Sequence, residues 1–195
     1  ADNPALRNIW QWMYAGISRA NYIVEFKDKT NFAGKNQLLA ENLFLRSYYY
    51  FELVKFFGDV PLYTNGRITI EETQSIDRTP KAQVYAQLEA DLNTAIQDLP
   101  WVQGQEGRVT KGAALALLGK IYLYQEKFSE AVVVLDQVIN SGQYDLVDDF
   151  DQIFLNSNEN NEESIFEVQY FGGEGGGFDC FQCVEGNIAV GCRGP

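Results

Sequence analysis

The sequence predicts a mainly α protein made of tetratricopeptide-like helical hairpins, followed by a short strand and an irregular tail that contains glycines and cysteines. Apolar residues recur at helical spacing in several segments up to about residue 155. Residues 115–131 combine small and large side chains in the pattern of a tetratricopeptide hairpin. Beyond these segments the helical pattern stops. We therefore divide the chain into a helical-repeat scaffold, residues 1–155, and a strand-and-loop segment, residues 156–195.

The first helix is predicted to start near the N-terminus and to run to about Phe26. Asn3 or Asp2 can cap it, because their side-chain oxygens accept hydrogen bonds from the first free backbone N–H groups. Pro4 suits the first turn, where its missing N–H is not needed. A polar connection, residues 27–35, follows this helix.

A second helix, which ends at residue 57, holds most of an unusual aromatic segment. Residues 40–61 contain seven aromatic side chains, and this bulk on several faces predicts a buried helix that is packed on more than one side. Gly58 accepts the left-handed conformation that ends helices, and Pro61 cannot continue one. We expect some of Tyr48, Tyr50 and Phe51 to be left exposed, because the sequence suggests a fragment of a longer protein.

The middle of the chain is predicted as a surface loop and a third long helix. Residues 62–76 are mainly loop, and Thr79 followed by Pro80 is a strong helix start signal. The apolar residues of the following helix recur at helical spacing until Pro100 ends it. A loop over residues 101–107 comes next.

The best hairpin lies between residues 110 and 144. Thr110 is the predicted cap of a helix that is apolar nearly all round and therefore buried, and Ser129 is the predicted cap of its partner. Gly142 stands just past the end of the second helix, and Gly119 is small enough to let the two helices approach closely.

After the hairpin, Asp148 or Asp149 can start a short helical turn that runs through residue 154. Residues 164–170, SIFEVQY, are β-branched and aromatic and form the predicted strand. The glycine run at residues 172–177 lacks the ending of a phosphate-binding loop, so we interpret it as a flexible loop beside a ligand or partner.

Charge is distributed unevenly along the chain. The net charge is −12, and residues 128–192 contain thirteen acidic residues and no Lys or Arg. This pattern argues against nucleic acid as a partner, because phosphate binding needs a basic surface. The chain has no histidine, which removes histidine-assisted nucleophiles and histidine zinc ligands.

Two groups of residues could bind metal, and neither pattern is complete. Cys180, Cys183 and Cys192 lack the fourth ligand of a structural zinc site, and their pairing cannot be deduced. Asp148, Asp149 and Asp151 lack the glycine and terminal glutamate of an EF-hand loop, so helix capping is favoured over calcium. We predict no metal site and no catalytic residues.

Several stretches together resemble the SusD/RagB family of surface lipoproteins from Bacteroidetes-type nutrient-uptake systems. They are WMYAGISRAN at residues 12–21, the helix containing Arg46 and its ending FFGDVPL, and GRVTKGAALALLGKIYLY at residues 107–124. Residues 78–92 and ESIFEV at residues 163–168 resemble further family segments. The resemblance covers most of the chain and implies a SusD-like α-fold.

The resemblance implies a binding protein and no enzyme. A family member is a surface-exposed lipoprotein of the outer membrane, with a lipid anchor that this chain lacks. It captures oligosaccharide or polysaccharide and delivers it to a SusC-like TonB-dependent transporter. The alternatives are a peptide-binding RagB-like subunit and a tetratricopeptide scaffold that binds only proteins.

The candidate ligand-binding residues are Phe178, Asp179 and Phe181, in the tail where the family resemblance implies an aromatic platform. Aromatic rings stack on sugars, and carboxylates accept hydrogen bonds from sugar hydroxyls. The resemblance implies that residues missing from this chain complete the ligand site. Aromatic residues that simply pack on the core are the alternative.

Overall fold

The computed structural model describes residues 3–169, apart from the side chains of Phe154 and Asn156. This part of the chain is helical, and each long helix packs on the long helix before it. The elements are α1 (Pro4–Phe26), α2 (Lys35–Phe57), α3 (Ile70–Thr73), α4 (Lys81–Asp98), α5 (Lys111–Tyr124) and α6 (Phe128–Ile139), then 3-10 turns at Phe150–Phe154 and Asn156–Asn158. The predicted helical fold class is confirmed.

Most predicted helix ends are confirmed, because local sequence determines them. The Asn3 side chain accepts hydrogen bonds from the first backbone N–H groups of α1, and that of Thr110 caps α5 in the same way. Gly58 caps the end of α2 with a φ of 69°, and Gly142 lies just past the end of α6 with a φ of 66°. The Asp149 side chain caps the 3-10 turn that follows α6.

Two predicted caps are wrong. Thr79 pairs with Val60 in an isolated antiparallel bridge, so α4 begins at Lys81 instead. The cap of α4 comes from another segment, because the Lys81 N–H donates to Oδ1 of Asp59 at 2.8 Å. Ser129 lies inside α6, which has no side-chain cap.

The predicted loop between α2 and α4 contains the short helix α3, which the sequence analysis missed. Thr69 and Glu72 form a capping box: Oγ1 of Thr69 accepts from the Glu72 N–H at 3.2 Å, and Oε2 of Glu72 accepts from the Thr69 N–H at 2.7 Å. The Thr-x-x-Glu spacing in the sequence is typical of a helix start and could have indicated α3.

The core lies between α2, α4 and α5. Of the three side chains among which we expected some to be left exposed, Tyr48 is half-buried, while Tyr50 and Phe51 of α2 are fully buried. They are covered from within the described chain, and the Phe51 ring meets those of Tyr85 and Tyr124 at centroid distances of 6.5 and 5.0 Å. The aromatic bulk of α2 therefore serves the packing of the repeats.

The segment that follows α2 is tied to the helices by side-chain hydrogen bonds. The Tyr50 hydroxyl donates to the Tyr63 carbonyl and accepts from the Tyr63 N–H, both at 2.9 Å. The Tyr14 hydroxyl donates to the Pro61 carbonyl at 2.8 Å. Burial raises the pKa of both hydroxyls, so they stay protonated and keep donating.

Farther along the same connection, Arg67 forms a forked ion pair with Glu25 of α1. Arg67 Nε and Nη2 donate to the two carboxylate oxygens at 3.0 and 2.9 Å. These hydrogen bonds lower the pKa of Glu25 to about 2. The connection is thus fixed at residues 61–67, before it continues into α3.

Residues 164–169 of the predicted strand form no strand within the described part of the chain. No second strand lies beside them there, and the segment instead packs on α2, where the Phe166 ring meets that of Phe44 at 5.2 Å.

The division of the chain at residue 155 stays a prediction. Within the described residues, no helix combines the length and apolar character needed to cross a membrane.

Candidate functional site

The predicted ligand residues Phe178, Asp179 and Phe181 lie outside the described residues, as do the three cysteines. The end of the described chain nevertheless lies at one face of the molecule, next to α2. Gln169, the last described residue, lines a hollow between α2 and the loop that connects α4 to α5. The residues around that hollow form the candidate site.

Two hollows share residues 105–108 as part of their lining. One measures about 540 Å³ and the other about 210 Å³. Both are lined by Gln105, Glu106, Gly107, Arg108 and Phe166. We call the two hollows, with the loop that they share, the cleft.

Arg108 is held in the cleft by Glu41 of α2. Its Nε and Nη2 donate to the Glu41 carboxylate, with a shortest distance of 2.8 Å to Oε2. Gln37 and Gln103 donate to the same carboxylate at 3.1 and 3.2 Å. Within the described residues no hydrogen bond uses Nη1 of Arg108, whose side chain is 39% exposed, so this group can donate to a ligand.

Aromatic and apolar side chains form the floor of the larger hollow. Met13, Leu45, Tyr48 and Tyr49 line it beside Phe166. The Tyr49 ring presses on α1 at Gly16, where an added Cβ would stand 2.5 Å from the ring. This close approach fixes the position of the Tyr49 ring on the helix surface.

The smaller hollow combines aromatic rings with polar groups. Trp101 and Tyr144 line it, and the hydroxyls of Tyr144 and Thr110 lie 3.1 Å apart. The Lys111 ammonium stands 5.9 Å from the centre of the Trp101 ring. Rings beside hydroxyl, amide and carboxylate groups can bind a ligand that has both apolar faces and hydroxyls.

The last described segment closes one side of the cleft. The side-chain amides of Asn160 and Gln169 donate to each other at 3.1 and 2.9 Å, and Glu167 accepts from the Asn160 N–H at 3.2 Å. Gly107 has a φ of 77° and lies directly under the Gln169 side chain, so a larger residue there would be strained and would clash.

Sequence reasoning missed the cleft residues, although it predicted the loop at 101–107. Loop residues have no periodicity that marks them as functional, and the hydrogen bond from Arg108 to Glu41 joins positions that lie far apart in sequence. The available signal was composition, because Trp101, Gln105 and Glu106 combine an aromatic with polar groups in a connecting loop.

A second polar cluster is buried and serves the fold. Arg46 donates from Nε and Nη2 to both oxygens of Asp91 at 2.9 and 2.8 Å. Its Nη1 donates to Oδ1 of Asn21 at 3.1 Å and to the Thr64 carbonyl at 2.9 Å. Every guanidinium nitrogen is therefore engaged, and the cluster joins α1, α2 and α4 to the connection after α2.

The aspartates considered for calcium are exposed. Asp148, Asp149 and Asp151 follow α6, and Asp149 Oδ1 accepts from the Asp151 N–H at 3.1 Å, as in an ordinary turn. Within residues 3–169 no group of three or more His, Cys, Asp or Glu side chains is placed to hold a metal ion. The absence of a metal site at these aspartates stays a prediction, and calcium enters none of the proposals below.

Residues 1–123 match the SusD-like family model described as starch-binding associating with outer membrane. The SusD-like protein P2 of Formosa agariphila is 31% identical over 179 residues, which cover 88% of this chain and 35% of that protein. The chain spans about a third of the length of the curated relatives it matches.

Solved structures give the same likeness. A laminarin-binding SusD-like protein is 38% identical with a TM-score of 0.81, and the match covers 88% of this chain and 39% of that one. Surface glycan-binding protein A from Bacteroides thetaiotaomicron, in complex with laminarihexaose, is 29% identical with a TM-score of 0.73. That match covers 83% of this chain and 35% of the other.

Proposed function

The chain belongs to the SusD-like family, and on that premise we propose that it is part of a cell-surface protein that captures oligosaccharides. The protein sits at the outer membrane as a lipoprotein and passes its ligand to a SusC-like TonB-dependent transporter. The observation that carries the proposal is the family match over residues 1–123. The two glycan-binding structures described above support it.

The cleft supplies groups of the right chemistry for this role. The rings of Tyr49 and Trp101 can lie against the apolar faces of sugar rings. Gln105, Glu106 and Arg108 provide amide, carboxylate and guanidinium groups for sugar hydroxyls. Nothing in this arrangement requires bond cleavage, so the proposed role is binding and delivery without catalysis.

We further propose that Phe178, Asp179 and Phe181 complete this site. They begin nine residues after Gln169, which lines the larger hollow, so a short stretch of chain joins them to the cleft. The two phenylalanines add stacking surfaces, and the aspartate adds a hydrogen-bond acceptor.

Isothermal titration of the intact protein with laminarin, amylose and a tryptic peptide mixture tests the function. We expect saturable binding of at least one glycan and no release of shortened sugars on prolonged incubation. Binding of peptides alone would favour a RagB-like or scaffold role. Product release that one carboxylate-to-amide change abolishes would indicate an enzyme.

Side-chain variants test the place of binding. Gln105→Ala removes an exposed amide that lines both hollows, and we expect glycan affinity to fall about tenfold, the effect of one good hydrogen bond to a ligand. Gln83→Ala on α4 is the matched control, because Gln83 is exposed and lines neither hollow. Equal affinities of the two variants would place the site elsewhere.

A further inference from the structure

The cleft is surrounded by acidic side chains. Glu106 lines both hollows, and Glu167 lines the smaller one. Glu159 and Glu162 are exposed on the segment that closes the cleft. Residues 128–192, which supply this segment, contain thirteen acidic residues and no Lys or Arg. The wall of the cleft is therefore negative.

Two cations lie near the cleft, and they offset only part of this charge. Two nitrogens of the Arg108 fork bind the Glu41 carboxylate, with a shortest distance of 2.8 Å, so the charge of Arg108 is already matched. The Lys111 ammonium lies 5.9 Å from the centre of the Trp101 ring. Strong binding of carboxylate or sulfate favours an Arg fork that is free for two parallel hydrogen bonds, and the fork of Arg108 is occupied.

We infer that the cleft selects neutral oligosaccharides and rejects glycans that carry uronate or sulfate groups. The inference rests on the proposed glycan function and adds the class of glycan. Neutral sugars donate hydroxyl protons to the carboxylates of Glu106 and its neighbours, whereas an anionic sugar meets like charge at each unit. Because Glu106, Glu159 and Glu162 are solvent-exposed, the rejection weakens as salt screens it.

The test uses two probes that share one backbone and differ at C6, where a carboxylate replaces the hydroxymethyl group. Laminarihexaose and the same hexasaccharide oxidised at C6 to glucuronate units are titrated into the intact protein in 20 mM and 500 mM NaCl. We expect the oxidised sugar to bind about tenfold more weakly at the lower salt concentration. This difference should narrow to about twofold at the higher one, where screening extends over only a few ångströms.

A charge variant separates electrostatic rejection from a steric effect of the added oxygen. Glu159→Gln with Glu162→Gln removes two exposed charges beside the cleft, and neither residue lines a hollow. We expect the difference between the probes at 20 mM NaCl to shrink at least threefold, with the affinity for laminarihexaose unchanged. The control, Glu71→Gln with Asp77→Asn, changes the net charge equally at exposed residues outside both hollows and should preserve the difference.

The outcomes are distinguishable. Equal or tighter binding of the oxidised sugar by the unmodified protein would overturn the inference while leaving glycan binding intact. A difference that responds neither to salt nor to the Glu159 and Glu162 changes would also overturn it, because the rejection would then be steric. Failure of both probes to bind would contradict this inference together with a β-glucan ligand for the proposed function.

Discussion

Single polar side chains in the core hold the connection after α2 in place. The Tyr50 hydroxyl makes two hydrogen bonds to the backbone of Tyr63, and the Asn21 amide donates to the same carbonyl at 2.9 Å. Such contacts contribute little net stability while they are formed, but a buried group that loses its partner is costly. The position of the connection after α2 therefore depends on the hydroxyl of Tyr50, although the aromatic ring of this residue suggests only a packing role.

Tyr50→Phe tests this dependence, because the ring stays while the Tyr63 N–H loses its acceptor. We expect the free energy of unfolding to fall by about 2 kcal/mol, measured as a lower urea midpoint at unchanged slope. Tyr124→Phe is the control: its ring also contacts the core, its hydroxyl makes no hydrogen bond within the described residues, and the expected loss is below about 0.5 kcal/mol. Equal losses would contradict the role of the hydroxyl.

Residue-level predictions from sequence succeeded where the residue that ends or caps a helix lies next to that helix end in the sequence. Asn3, Gly58 and Thr110 act within one helical turn, so their types alone indicated the helix ends. The start of α4 could not be predicted in the same way. Its cap is Asp59, which is 22 positions from Lys81 and reaches it only after the chain has folded back.

At the level of elements, glycines set how closely the helices and their neighbours approach. Each glycine inside a helix of the described chain lies under a side chain from outside that helix: Gly16 under Tyr49, Gly112 under Tyr144 and Gly119 under Leu135. Glycine normally weakens a helix by about 1 kcal/mol relative to alanine. Its presence at all three positions indicates that close packing outweighs that cost.

Gly119→Val tests the close packing of α5 on α6, because an added Cβ would stand 2.6 Å from Cδ2 of Leu135. We expect the free energy of unfolding to fall by about 2 kcal/mol through overpacking. Leu135→Ala in the same chain should restore part of the loss, so the double variant should be more stable than the sum of the single effects predicts. Strict additivity would show that the two side chains do not meet.

Element-level reasoning from sequence found the helices and missed the cleft. Helical spacing reports which faces are buried, and it correctly indicated the hairpin of α5 and α6. The cleft depends on a loop, on Glu41 in α2 and on Phe166 near the end of the described chain. Only tertiary contacts bring these parts together, and the periodicity of the sequence does not indicate such contacts. Residues 164–169 of the predicted strand form no strand within the described residues for the same reason, because a strand requires a partner elsewhere in the chain.

At the scale of the whole molecule, the buried ion pair of Arg46 and Asp91 joins separate parts of the helical stack. Arg46 of α2 contacts Asp91 of α4, Asn21 of α1 and the Thr64 carbonyl, and the side chains of Arg46 and Asp91 are only 5% and 7% exposed. A buried ion pair adds little net stability, but removing one partner leaves an uncompensated charge. The cluster thus links the stability of three helices.

Asp91→Asn keeps the shape of the side chain and removes its charge. We expect the free energy of unfolding to fall by about 3 kcal/mol, and amide exchange to rise together in α1, α2 and α4. Glu25→Gln, at the exposed pair with Arg67, should lower the urea midpoint far less, because solvent screens that pair. Faster exchange confined to α4 would contradict the linking role of the pair.

The bridge between Val60 and Thr79 has an evolutionary consequence. Two backbone hydrogen bonds of 3.2 and 2.9 Å, together with the bond from Lys81 to Asp59, close the base of the connection independently of its far end. Each doubling of loop length costs only about 0.6 kcal/mol in closure entropy. Residues 68–78 can therefore lengthen, shorten or accept an inserted module without shifting the register of α2 and α4, which makes them a place where descendants of this scaffold can diversify.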